Sequence, residues 1–159
     1  MTKTESANFI KEECIRQGLV LEDQIAYVIA TADWETNHTL LPVVEAYWMN
    51  QDFRDDLSYA PYYGRGLVQL TWEDNYKKYE DILGVPLVNE PELALDYAVA
   101  LFVLVHGFIN GTFTGAKITD YINENGTDYY NARRCINGTD AANEIANTAE
   151  SIDQMVYST

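Results

Sequence analysis

Five carboxylates in the first 56 residues have the types and spacing for acid–base chemistry. Glu35 closes an apolar helical series of Ile25, Val28, Ile29 and Ala32. Its carboxyl is therefore expected to be partly desolvated, which favours the protonated form from which a general acid donates. On that reading Glu35→Gln costs activity and leaves stability unchanged or improved. Glu45, Asp52, Asp55 and Asp56 follow in an irregular aromatic stretch and are candidates for a general base. Inverting cleavage of a glycosidic bond needs such a pair. One carboxylic acid protonates the leaving oxygen, and a carboxylate roughly 6.5–9.5 Å away activates water. Taken singly, each loop acid is equally well a solvated charge. Metal chemistry has little to build on, since His38 and His106 are the only histidines and no spaced Cys or Asp ligand motif occurs. His106, inside an apolar segment, reads as a core histidine.

The elements that must position these groups are mostly helical. Phe9, Ile10 and Cys14 define a helix over 6–17 that stops at Gly18, and the Glu35 helix runs from about residue 22 to 36. Residues 42–61 read as a long structured loop. Leu67–Thr71 alternates like a short strand, which would project Arg65, Gln69 and Thr71 from one face and anchor Val68 and Leu70 on the other. A helix over 74–83 ends at Gly84. Pro91 introduces Leu93–Ile109, apolar nearly all round and so the expected central buried helix. Segments 118–123, 128–136 and 140–157 complete the helices, separated by Asn-Gly turns.

With 159 residues, the chain is of single-domain size, and 47% hydrophobic residues supply a core without a metal or disulfide. Cys14 and Cys135 are expected to be free and buried. Of four Asn-x-Thr triplets, at Asn37, Asn110, Asn125 and Asn137, three read Asn-Gly-Thr and are taken as turns or helix ends. The formal charge of −15 disfavours nucleic acid and anionic membrane surfaces as partners. It also opposes anionic wall polymers in dilute buffer, less so in salt. The longest apolar run, Tyr97–Val105, is too short to span a bilayer. The first residues lead into an amphipathic segment, not an apolar signal core.

Several strings together resemble a known family. Ala32-Asp-Trp-Glu-Thr, Pro42-Val-Val-Glu-Ala-Tyr-Trp, Tyr62-Tyr-Gly-Arg-Gly-Leu-Val-Gln-Leu-Thr with Asn75-Tyr, Asn89-Glu-Pro-Glu-Leu-Ala and Asn131-Ala-Arg-Arg-Cys-Ile-Asn-Gly are similar to segments of the family 19 chitinases and their phage endolysin relatives. The resemblance covers roughly residues 25 to 155. It implies a mainly α, lysozyme-like, two-lobed helical domain over 1–159, with one short β element next to the cleft. It further implies inverting hydrolysis of β-1,4-linked amino-sugar polymers; no cofactor or metal is expected, and the protein is expected to be a monomer.

By the same resemblance the acid is Glu35, the water-positioning hydroxyl Thr71, and the substrate-binding residues Gln69, Asn75, Asn137, Tyr62 and Arg65, the last as an arginine that buttresses the cleft. The base is Glu45 by the endolysin pattern and Asp52 by the chitinase pattern, with Glu45 preferred. Trp34 stands where the family often has a histidine before its acid. Peptidoglycan is placed first as substrate, with chitin as alternative and an inactive carbohydrate-binding protein as a third reading. The expected location is the host cytoplasm until release to the cell wall.

Overall fold

The computed structural model describes residues 1–157, with side chains through 153. Helix α1 (Lys3–Arg16) starts from a capping box in which the Thr2 hydroxyl accepts the Glu5 amide and the Glu5 carboxylate accepts the Thr2 amide. It buries Ile10 and Cys14. Helix α2 (Glu22–Glu35) opens with two acids, which suit the positive end of a helix. Every residue from Gln24 to Asp33 is buried, because α1, the later helix α5 and the last helix α7 all pack around it. Each fully buried Val or Ile contributes about 1.5–3 kcal/mol, so α2 is the best-anchored element next to the site.

The chain then becomes irregular. Strand β1 (Val43–Val44) pairs antiparallel with β2 (Arg65–Gly66), Val43 opposite Gly66 and Val44 opposite Arg65. Between them lie the short helix α3 (Gln51–Asp55), capped by the Asn50 side chain on the Phe53 amide, and a cis Ala60–Pro61 bond. The alternation of Leu67–Thr71 does not make a strand. Gly66 at φ 102° and Gln69 at φ 63° bend the chain into a tight loop, closed by the Arg65 and Leu70 backbones bonding each other at 3.1 and 2.8 Å. Leu67, Val68 and Leu70 are all buried; here the apolar residues anchor a turn.

Helix α4 (Glu73–Leu83) ends at Gly84 in the left-handed region. The expected helix over Leu93–Ile109 is split. Pro91–Leu95 form a separate 3-10 turn, and α5 (Tyr97–Asn110) starts afresh where the Asp96 carboxylate accepts the Val99 amide at 3.2 Å. Ile118–Asp120 is one 3-10 turn leading into a second pair, β3 (Ile122–Asn123) with β4 (Gly126–Thr127), where a helix over 118–123 was expected. Helix α6 (Tyr129–Ala132), a 3-10 turn at Arg133–Cys135 and α7 (Ala142–Tyr157) follow.

Cys14 and Cys135 are free and buried, which pushes each thiol up to about 12. His106 is bonded to the Tyr79 hydroxyl at 3.1 Å and stacked on Phe102. Among the described residues no helix is long and apolar enough to cross a membrane.

Candidate active site

The buried body of α2 delivers Glu35 to the surface on its last turn. Thr36 fixes the helix end, its hydroxyl donating to the Ala32 carbonyl at 2.7 Å and accepting the Leu40 amide at 2.9 Å. The surroundings of Glu35 are not those the apolar stripe implies. Arg133 Nη1 lies 2.8 Å from Glu35 Oε1, with the arginine side chain 2% exposed and the glutamate 17%. The arginine is aimed by its Nε, which donates to the Asp140 carbonyl at 2.7 Å.

Sequence reading missed Arg133. The available signal was an arginine in register with Ala132, Cys135 and Ile136, all of which turn inward. Trp34 is partly exposed with its ring edge-on to His38. His38 Nδ1 pairs with Asp33 at 2.7 Å, not with the acid, and Lys3 pairs with the other Asp33 oxygen at 2.6 Å.

Glu45 continues β1. Its amide donates to the Gly64 carbonyl at 2.7 Å, and its Oε2 accepts the Gly64 amide at 2.9 Å. Its Oε1 accepts the Tyr59 hydroxyl at 2.7 Å. Desolvation first, then the bond to Glu45, pushes the Tyr59 phenol up to about 12. Both oxygens of Glu45 are thus oriented by donors. Asp52, Asp55 and Asp56 stand exposed on and after α3, Asp55 accepting from Gln51 at 2.8 Å. Of the four acids offered as bases, Glu45 is the one built into the strand pair.

The loop after β2 supplies the facing wall. Gln69 folds back so that its Nε2 donates to the Val43 carbonyl at 3.1 Å. A Cβ at position 64 would come within 2.8 Å of Gln69 Oε1 and 3.1 Å of its Cβ, so Gly64 leaves the room that lets Gln69 fold back this closely. The Thr71 hydroxyl donates to the Gln69 carbonyl at 2.8 Å, and Asn75 Nδ2 donates to the Thr71 carbonyl at 3.0 Å. Glu35, Gln69, Thr71, Asn75 and Asn137 line one cavity of about 230 Å³, with Trp72 and Phe113 among its apolar walls. Trp72 is 56% exposed and lies 4.9 Å, ring to ring, from Tyr59. The sequence reading did not single out either aromatic.

Arg65 and Tyr62 do not line that cavity. Arg65 is 6% exposed, and its Nη1 donates to the Pro61 carbonyl at 2.8 Å and the Tyr76 hydroxyl at 2.9 Å, with the guanidinium over the Tyr63 ring. The turn at Gly66 places Arg65 behind the wall, where it is a brace. Tyr62 is half-buried with its hydroxyl on the Val88 carbonyl at 3.0 Å. Among the described residues no group of three His, Cys, Asp or Glu is placed to hold a metal ion.

Comparison with solved structures places the fold. Chitinase C from Streptomyces griseus superposes with a TM-score of 0.63 at 23% identity, over 87% of this chain and 60% of that one. A bacterial family 19 chitinase superposes with a TM-score of 0.58 at 25% identity, over 86% of this chain and 74% of that one. The chain has the fold of the family 19 chitinases.

Sequence comparison reaches shorter stretches of chitinases from Oryza sativa subsp. japonica. Chitinase 11 is 50% identical over 42 residues, 26% of this chain, and Chitinase 8 is 42% identical over 53 residues, 31% of this chain. The matched stretches span 16% and 20% of those rice enzymes. No family model matches the chain. Within the chitinase-like fold, the end of a buried helix and a strand-edged loop meet at one polar cavity. The helix end presents a carboxyl beside a guanidinium; Glu45, held by a phenol and an amide, is not among the cavity's lining residues and adjoins it through Val43, whose carbonyl accepts the cavity-lining Gln69. A carboxyl at such a cavity can exchange a proton with a bound polar substrate.

Proposed function

We propose that this protein hydrolyses β-1,4-linked polymers of N-acetylated amino sugars with inversion, Glu35 acting as acid and Glu45 as base. The observation that carries the reading is Glu35 at a cavity shared with Gln69, Thr71, Asn75 and Asn137; Glu45, both of whose oxygens are oriented, follows the strand that Gln69 bonds at Val43. A water oxygen attacks the anomeric carbon and passes a proton to Glu45, while the glycosidic bond breaks and Glu35 protonates the leaving oxygen. Arg133 occupies Glu35 Oε1, which leaves Oε2 as the proton-carrying oxygen. Thr71 spends its hydroxyl proton on Gln69, so its oxygen is available as an acceptor for the attacking water. Amide side chains at 69, 75 and 137 suit the acetamido and hydroxyl groups of such sugars. The reaction calls on no cofactor, and the protein acts as a monomer.

Two observations favour an uncharged, chitin-type polymer over peptidoglycan: the matched proteins are chitinases, and the charge of −15 repels anionic polymers. The deciding experiment incubates the protein and a Glu35→Gln control with chitin hexamer and with peptidoglycan, reading products by mass spectrometry and fresh anomers by NMR. Shorter N-acetylglucosamine oligomers, released first as the α-anomer and absent from the control, are expected. A β-anomer first would remove Glu45 from the water-activating role. Muropeptides alone would make the protein a lysozyme, with the host cytoplasm before lysis as its fitting location. Binding without products from either polymer would leave a carbohydrate-binding protein.

A further inference from the structure

Beyond the cavity, residues 46–56 carry large apolar side chains that the core does not use. Trp48 is 73% exposed, Tyr47 45%, Phe53 43% and Met49 42%. Exposed apolar surface this concentrated in one short segment usually marks a binding face. The segment is held rigid by polar means. Arg54 Nη1 donates to the carbonyls of Ala46 and Met49 at 3.0 and 3.1 Å, and its Nη2 donates to Gln51 Oε1 at 3.1 Å. The Tyr47 and Trp48 rings brace each other edge to face at 5.3 Å. A guanidinium thus keeps the aromatic rings pointing outward, and a face built in advance loses little entropy on binding.

Contacts tie the face to the site in two directions. The Tyr47 hydroxyl accepts Asn37 Nδ2 at 3.2 Å, two residues beyond the acid. In the other direction Glu45 joins the segment to Tyr59, whose ring meets cavity-lining Trp72. Its borders are acidic, with Asp52, Asp55 and Asp56 all exposed. Carboxylates there accept hydrogen bonds from sugar hydroxyls and amide N–H groups and repel carboxylated or phosphorylated sugars.

We propose that the Tyr47–Trp48–Phe53 face is a stacking platform that carries an uncharged run of the amino-sugar polymer beyond the bond being cut. The proposal rests on the glycoside hydrolase reading for the identity of its occupant. Flat rings match the C–H faces of pyranoses, and a neutral N-acetylated run satisfies the acidic border without charge repulsion.

The test uses Trp48→Ala and Trp48→Phe in the full chain, with circular dichroism to confirm folding. Pelleting with insoluble chitin is measured in the Glu35→Gln background, so that binding is read whether or not the protein hydrolyses anything. Loss of one stacked indole is expected to weaken pelleting about tenfold, with Trp48→Phe recovering most of it. Where hydrolysis occurs, KM for chitin should rise about tenfold, and at least fivefold more than KM for a chitin tetramer, with little change in kcat on the polymer. Unchanged pelleting and unchanged KM would overturn the platform, as would equal losses on polymer and tetramer. A concentration-dependent dimer in sedimentation that Trp48→Ala abolishes would overturn it in favour of an interface with a second copy. If no substrate is hydrolysed but chitin pelleting still depends on Trp48, the hydrolase reading fails and the platform stands.

Discussion

The segment that carries Glu35 is a helix buried over ten consecutive residues, Gln24 to Asp33, whereas the segment that carries Glu45 runs from Val43 to Trp72 on two two-residue strands and a five-residue helix. Apolar packing fixes the first. The second is fixed by side chains bonded to backbone, with Glu45 on Gly64, Gln69 on Val43, Arg65 on Pro61 and Arg54 on Ala46 and Met49. It also contains Ala46, Gln69 and Trp72 at positive φ, a conformation that costs a non-glycine residue about 1 kcal/mol and persists only where the surroundings enforce it. A helix end places one group reproducibly at little conformational cost. A strained loop can place several polar groups around one point, which a helix cannot.

This contrast can be broken from both sides. The largest effects belong to the two carboxylates. Glu35→Gln should lower kcat on the order of a thousandfold or more. Because Arg133 loses the nearer of its two charged partners, Glu35 at 2.8 Å, and keeps only Asp140 at 3.7 Å, the same change should also lower stability by about 2 kcal/mol, against the expectation from sequence. Glu45→Gln should cost about a hundredfold or more and Asp52→Ala less than about twofold; steady-state kinetics showing the reverse order would move the base to Asp52.

The supports come next. Arg133→Met removes the brace on the helical side and should destabilise the fold by about 3 kcal/mol in urea denaturation, since it strands a largely buried carboxylate. Tyr59→Phe removes one bond on the loop side and should cost about 1 kcal/mol and a few-fold in kcat. Equal losses of stability would mean that the two sides are not built differently.

The smallest effect lies at the far end of α2, where Thr127 donates to Asp23 and Tyr129 to Asp153, each at 2.5 Å. Burial, then the neighbouring Asp23, pushes the Asp153 carboxyl up to about 6. The native state therefore keeps a proton that the unfolded chain releases near pH 3.9, so this stabilisation is full below about pH 3.9 and is lost as pH rises through about 6. Asp153→Asn should melt higher than the parent at pH 7 and lose most of that advantage at pH 4. A calorimetric gap that does not change with pH would show that the pair does not titrate in this range.

The sequence by itself determined the helical class, the helix that bears Glu35, and the strings from which Gln69, Thr71, Asn75 and Asn137 were chosen. These were legible because a helix writes its buried face into the periodicity of a few adjacent residues, and because the Tyr62–Thr71 string is long and ordered enough to be matched as a unit. Periodicity misled at Leu67–Thr71, where alternation belongs to a turn, and at Leu93–Ile109, where the Asp96 cap divides the helix. Only the tertiary structure decided that Arg133, 98 positions after Glu35 in the chain, closes on the acid, that Glu45 and not Asp52 is gripped by Tyr59 and Gly64, and that Tyr62 turns its hydroxyl to Val88 instead of lining the cavity. Those outcomes depend on contacts between residues distant in the chain, and a local pattern carries no record of which distant side chain will fill the space beside it.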